Sequence, residues 1–365
     1  MYKILYPKRD ATIYEAYPNR NTGIDQILEL TKYAVGERRN DVEDINSSWG
    51  EQYNSRILLD FDLSNISQLV DTGSAKYYLT LSTVDVSSIQ NEYTIYAYPI
   101  TEPWINGNGN FNDLPEIRNG VSWIYSSNET DGDLWTDGSG TSSFATVSGG
   151  GSWNSSYAAS QSFSFEDSDV RMDVTPIVSA WIAGDIPNYG MILKYSDEDE
   201  SSTDVFGSLK FFSRETHTIY LPKIQAYWDS SVTYTGSFSQ SSVVEESYVI
   251  YSNNLRNKYT QDESTRIRFK VRERYPQKTY VRSTTGITTK RLPDTTYYSI
   301  VDYVTNEPVV EFDDVGTKLD MDDSGHYIDI DFQNFLPVRY YKIILKVVSD
   351  NSVTIIDNNF NFRIE

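Results

Sequence analysis

The sequence predicts an all-β protein of two tandem β-sandwich domains, the first carrying one short helix. Three observations predict it. Tyrosine occurs 29 times in 365 residues, among many Ser, Thr, Asn and Asp. Aromatic and β-branched residues suit half-buried pleated surfaces, and the small polar ones suit turns. Apolar and polar residues alternate through most of the chain, the period of a strand with one buried face. Hydrophobic content is 39%, enough for packed cores, and at ~100–200 residues per domain the length divides into two or three.

In chain order, "SRILLDFDLS" (55–64), "AKYYLTLSTVDV" (75–86) and "EYTIYAYPI" (92–100) read as strands. The Gly- and Ser-rich run "TDGDLWTDGSGTSSFATVSGGGSWNSSY" predicts a long surface excursion. At "VTPIVSAWIAG" the spacing changes: Val174, Ile177, Val178, Trp181 and Ile182 fall at i, i+3, i+4, i+7 and i+8, one face of a helix. Asp173 or Thr175 can cap its start, Pro176 suits the first turn and Gly184 the exit. So short a helix is marginal alone, so its apolar face is expected to cover one end of a sandwich core rather than dock a partner. "YGMILKYS" then resumes as a strand.

The domains are expected at 1–230 and 248–365, joined by a Ser-rich linker at 231–247. In the second, "TRIRFKVRERY" alternates with Ile267, Phe269 and Val271 on one face, and "YYSIVDYV", "HYIDIDF", "RYYKIILKVV" and "NFNFRIE" continue the pattern.

Several function classes are disfavoured. With no cysteine, neither disulfides nor thiolate metal sites form. The opening "MYKILYPKRDATIY" lacks the apolar core of a signal peptide, and no run approaches the ~18 apolar residues of a membrane span. The expectation is a soluble chain made in the cytosol, with no membrane partner. A net charge of −21 argues against nucleic acid as a partner. The two histidines, His217 and His326, lie in different domains, outside any HExxH pattern, and no GxSxG elbow or phosphate-cradling Gly loop occurs. The chain is therefore expected to be no enzyme and to need no cofactor.

Three features remain as candidate sites. The stretches "SDEDESSTD" and "NGNGNFND" hold Asp197, Asp199 and Asp113, hard oxygen ligands that suit calcium; the bland reading is solvated turns. Arg266, Arg268, Lys270, Arg272 and Arg274 alternate with the apolar face of one strand and so share a side, with Lys278, Arg282, Lys290 and Arg291 following. They are read as solvated or paired with acidic strands such as "EFDD" and "YIDID", as docking on an acidic subunit, or as contacting nucleic acid. Trp104, Trp123, Trp135 and Trp153 fall in or beside long loops, where they serve as loop anchors, interface hot spots or a sugar-stacking platform.

The first half resembles a DNRLRE-type β-sandwich domain, a module similar to carbohydrate-binding domains and found in surface and secreted proteins. The matching elements come in the family's order over about residues 8 to 228: "DATIYEAYPNRNTG", "SRILLDFDLS", "YTIYAYPITEPWINGNG", "GVSW", "DVTPIVSAW", "YGMILKY" and "FFSRE…YLPKIQAYW". The stretch 125–165 departs from the pattern, being longer and richer in Gly and Ser. The resemblance implies that the helix is a structural crossover. "NFLPVRYYKIILKV" resembles the Leu-x-Pro…Tyr corner of immunoglobulin-like and fibronectin-type modules, which implies a Tyr340 or Tyr341 hydroxyl bonded back to the backbone. As a whole the chain resembles a virion structural protein of a tailed phage, decorating head, neck, tail or baseplate. That implies residence in the virion and symmetric multi-copy assembly with other virion proteins. The alternative is a glycan-binding module of a host-facing fibre or surface adhesin.

Overall fold

The computed structural model describes residues 1–34, 52–64, 66, 75–87, 92–127, 133–136, 149–164, 169–232, 235–236, 248–276, 290–349 and 352–365. Most of 231–247 and part of the 130–157 excursion lie outside the described residues, as do Lys278 and Arg282. The described residues form an all-β protein. The chain divides into two compact units, Ile4–Ala226 and Tyr227–Glu365, and Met1–Lys3 group with the second.

The larger unit begins with β1 (Tyr2–Leu5), whose last two residues belong to it, then β2 (Pro7–Tyr14), β3 (Ile27–Ala34), β4 (Gln52–Phe61), β5 (Lys76–Leu81), β6 (Thr83–Ser87), β7 (Glu92–Pro99), β8 (Ala159–Ser164) and β9 (Val170–Asp173). Helix α1 (Thr175–Ala183), β10 (Met191–Lys194), helix α2 (Asp197–Ser201), β11 (Gly207–Phe212) and β12 (Lys223–Tyr227) complete it. One sheet runs β1-β12-β5-β9 and the other β6-β11-β3-β4-β10-β7-β8. The long strand β4 pairs with β3 through residues 52–54 and with β2 through 55–61, so one edge serves two partners. Strand β7 shows the expected period of two: Tyr93, Ile95, Ala97 and Pro99 are buried and the residues between them half-buried.

Helix α1 forms where the spacing predicts. Val174, Ile177, Val178 and Trp181 are buried, so the face covers core. Its entry is set without a side-chain cap at Val174. Instead the Asp173 carboxylate accepts from the Thr175 amide at 2.9 Å, and the Thr175 hydroxyl accepts from the Tyr77 amide at 2.9 Å, tying the helix to β5. Gly184 ends it in the left-handed region at φ 79°, a conformation that costs glycine little.

The second helix corrects the one-helix expectation. The acidic run at 196–204 forms α2 because Ser196 accepts from the Asp199 amide at 2.9 Å, a side-chain N-cap, while its hydroxyl donates to the Asp199 carboxylate at 2.7 Å. Four acidic residues fill the first turn, where the helix dipole favours negative charge.

In the smaller unit follow β13 (Tyr248–Ser252), β14 (Lys258–Tyr259), β15 (Ser264–Glu273), β16 (Thr296–Asp302), β17 (Pro308–Val310), β18 (Asp320–Asp322), β19 (Gly325–Asp331), β20 (Arg339–Ser349) and β21 (Ser352–Ile364). Its sheets run β13-β15-β19-β18 and β14-β21-β20-β16-β17. Phe269 of one sheet meets Phe360 of the other with ring centroids 5.1 Å apart, and Tyr341 packs on Phe335 and Phe362. The Tyr341 hydroxyl accepts from the Leu336 amide at 3.0 Å and donates to the Leu336 carbonyl at 3.1 Å. Of the two tyrosines at the corner, Tyr341 is the one turned inward and bonded to backbone; Tyr340 faces out.

Candidate interaction surfaces

On β15 the buried residues are Ile267, Phe269 and Val271, which leaves Arg266, Arg268, Lys270 and Arg272 on the other side; Arg274 lies just past the strand end. Register places Arg266 opposite Asp329 and Arg268 opposite Tyr327 on β19. Arg266 makes two 2.8 Å bonds to Asp329, and Arg268 makes bonds of 2.7 and 2.8 Å to Asp322. Both guanidinium groups also lie over the Tyr327 ring, at 3.9 and 5.5 Å. Hydrogen bonding to the carboxylates raises the pKa of each arginine, and Arg268 holds Asp322 below its ordinary value. Of the acidic strands expected as partners, "YIDID" supplies Asp329, and Asp322 comes from β18. Past the strand, Lys290 pairs with Glu273 at 3.2 Å and Arg291 with Asp294. Arg272 donates to the Glu273 carbonyl at 3.0 Å, and Arg274 lines a small cleft with Tyr248 and Asp357. The arginines at the centre of this face are thus engaged within the unit.

The outer face of the five-stranded sheet is more open. Tyr340 (50% exposed), Val353 (63%) and Ile355 (50%) stand on it. Registers Tyr340↔Arg363, Lys342↔Asn361 and Lys346↔Ile355 interleave them with cations. The Lys346 ammonium lies 5.0 Å from the Tyr297 ring and 5.2 Å from Phe312, Arg363 lies 5.5 Å from Tyr340, and Lys342 bonds Asp357 at 2.7 Å.

Three of the four tryptophans take the loop-anchor reading and not that of an interface or sugar platform. Trp104, Trp123 and Trp135 are buried in one cluster with Ala11, Ile13, Leu58, Ile100, Val121 and Ile192. The Trp104 indole donates to the Tyr189 carbonyl at 2.8 Å, and the Trp135 indole to the Ser122 carbonyl at 2.9 Å. Rings so enclosed are loop anchors and present no face to a sugar or a partner. Indoles buried at both ring and N–H are what let polar loops close over a sheet.

Trp153 differs. It packs on the rim of that cluster, half-buried, beside Tyr98 at 6.3 Å between ring centroids. Tyr98 in turn lies 6.0 Å from Tyr96, the two planes only 5° apart. Beneath Trp153 are two cations, the Arg56 guanidinium at 4.9 Å and the Lys194 ammonium at 4.8 Å. Arg56 bonds Glu200 of α2 at 2.6 and 3.1 Å and donates to the Gly150 carbonyl at 2.6 Å; Lys194 reaches Glu200 at 3.0 Å and also pairs with Asp197. Sequence reasoning missed Tyr96, Tyr98 and this buried charge group. The i, i+2 tyrosines of "YTIYAYP" were the readable signal, because alternate residues of a strand share a face.

The acidic loop residues do not converge on a cation. Asp197 pairs with Lys194, the Asp199 carboxylate accepts from the Ser196 hydroxyl at the start of α2, and Asp113 accepts from the Asn110 amide at 2.8 Å. Asn106 donates to the Gly23 carbonyl at 2.6 Å, so that loop's polar groups hold turns. Among the described residues no group of three or more His, Asp or Glu side chains is placed to hold a metal. His217 is exposed. His326 is buried and accepts from the Leu292 amide at 2.9 Å; burial, and then Arg291, push its pKa down to about 4. No helix among the described residues is long and apolar enough to cross a membrane.

No family model and no curated protein matches this chain. Among solved structures, a β-glucuronidase of Parabacteroides merdae with glycerol in its active site is similar at 11% identity and a TM-score of 0.17, over 97% of this chain and 35% of the glucuronidase. The chain thus spans about a third of that protein's length. The adhesin domain of Epf from Streptococcus pyogenes is similar at 8% identity and a TM-score of 0.17, over 99% of this chain and 97% of the domain. The binding domain of botulinum neurotoxin serotype C1 follows at 11% identity and a TM-score of 0.15, over 90% of this chain and 87% of that one. At these scores the likenesses carry no functional argument.

Proposed function

We propose that this chain is a non-enzymatic structural component of a tailed-phage virion, held in place by protein–protein contacts and present in many symmetric copies. The observation that supports it is the outer face of the β14-β21-β20-β16-β17 sheet. Tyr340, Val353 and Ile355 are half or more exposed there, interleaved with Lys342, Lys346 and Arg363. Exposed apolar side chains framed by charge are the pattern of a protein interface, with aromatic and aliphatic anchors inside a polar rim. In a chain of net charge −21, a face carrying Lys346 and Arg363 beside the Lys342–Asp357 pair favours an acidic neighbour and fixes its register. The seat of the chain is then the virion, assembled in the host cytoplasm. The test is quantitative mass spectrometry of purified particles, with wild type and Ile355→Asp supplied in turn. Wild type is expected at many copies per particle and Ile355→Asp at a small fraction of that. Particles that lack the wild-type chain end the proposal.

A further inference from the structure

We infer that the row Tyr96–Tyr98–Trp153 on the larger unit is a binding track for a neutral glycan. This goes beyond the docking role and lies in the other unit, so either reading can fail without the other.

The argument starts from strand geometry. Tyr96 and Tyr98 alternate on β7 and share a face, with ring planes 5° apart and centroids at 6.0 Å; Trp153 continues the line at 6.3 Å, its plane tilted 32° from that of Tyr98. All three rings are half-buried, each with part of its surface open to solvent. This separates them from the enclosed Trp104, Trp123 and Trp135. A pyranose has an apolar C–H face and a rim of hydroxyls, so it needs a flat aromatic surface with hydrogen-bonding groups beside it. Both are present. Across β8, Ser160 pairs in register with Tyr96 and Ser162 with Thr94, and both serines are exposed. Asp197 leaves 85% of its side chain exposed, and its charge and that of Glu200 reach Tyr98, whose phenol pKa is raised first by burial and then by Asp197. Past Thr94 and Ser162 the track opens into a cleft of about 660 Å³ that also carries Asp199 and Asp204.

The row is held from below. Arg56 and Lys194 fix Trp153 at 4.9 and 4.8 Å and are themselves tied to Glu200. Preorganised rings lose little side-chain freedom on binding. The same geometry sets the ligand's charge. Lys194 is fully buried and Arg56 nearly so, whereas Asp197 is open to solvent. An acidic sugar or a phosphate would meet carboxylates, so the ligand is uncharged.

The test uses the full chain in affinity gel electrophoresis against dextran, mannan, laminarin and soluble xylan, with polygalacturonate as the acidic control. Retardation by at least one neutral polysaccharide and none by polygalacturonate is expected. Tyr96→Ala should weaken that retardation at least tenfold with unchanged thermal unfolding, and Tyr98→Ala should weaken it likewise at some cost in stability, because Tyr98 packs against the core cluster. Tyr340→Ala, on the other unit, should leave it intact. Trp153 touches the core cluster, so Trp153→Phe, rather than an alanine variant, tests its place in the row. No retardation by any of the four neutral polymers overturns the inference. So does equal binding of polygalacturonate, or binding that survives both tyrosine variants.

Discussion

His326 makes the smaller unit sensitive to acid, and the size of the effect follows from its surroundings. The imidazole is buried, and Nε2 accepts from the Leu292 amide at 2.9 Å. A protonated imidazole has no acceptor, so acid both breaks that bond and places a cation beside Arg291. Burial and Arg291 lower the pKa from 6.5 to about 4. Between those values the unfolded chain holds more protons than the folded one, so stability falls as pH falls through this window. At ~1.36 kcal/mol per pH unit, the interval from 6.5 to about 4 comes to roughly 3 kcal/mol. The perturbation is His326→Gln, whose amide oxygen can still accept from Leu292 but takes up no proton. Urea unfolding followed from about pH 7.5 to about pH 4 gives the difference between variant and wild type, in which the titration of all other groups cancels. The wild type should lose roughly 3 kcal/mol more than the variant over that range. Parallel stability profiles would refute the reasoning.

Three further outcomes are expected. Glu200→Gln leaves Arg56 and Lys194 buried without their shared counter-charge, and should destabilise the larger unit by about 3–5 kcal/mol in denaturant unfolding. Tyr341→Phe removes both hydrogen bonds to Leu336 while keeping the ring packed on Phe335 and Phe362, a loss of about 1–2 kcal/mol by the same measurement; a change within error would show that the corner is dispensable. A double-mutant cycle on Arg268 and Asp322, which are paired but partly exposed, should return a coupling of only about 0.5–1 kcal/mol, shrinking with added salt.

Local periodicity carried much of the fold. The alternation at Ile267, Phe269 and Val271 and the helical spacing from Val174 to Trp181 both mark buried faces, since a side chain's direction depends on its immediate neighbours. Helix α2 was also readable, because Ser196 and Asp199 stand at the spacing of an N-cap and the amide it bonds, but its run of acidic residues has no apolar face and so reads as a loop. The tryptophans were left with several readings for a different reason. A Gly- and Ser-rich context says that the backbone is a loop, not that its indoles point inward, and burial of Trp135 depends on residues as distant as Ala11 and Ile192. The charge group has the same origin: Arg56 and Glu200 are separated by 144 positions, and only the assembled sheet brings them together.

The grouping of Met1–Lys3 with Tyr227–Glu365 means that one folded body is nested within the sequence of the other. The Met1 amine donates to the Trp228 carbonyl at 2.7 Å, Tyr2 packs against Tyr298 and Phe335, and Lys3 approaches Asp331 at 3.8 Å. At the ~5–20 residues per second of translation, the opening tripeptide waits roughly twenty to seventy seconds for its last partners to emerge. Cutting the gene at residue 227 would therefore strip the carboxy-terminal body of its own clasp. A permuted gene, with the tripeptide re-attached through a short spacer, is the form in which that body should be produced alone.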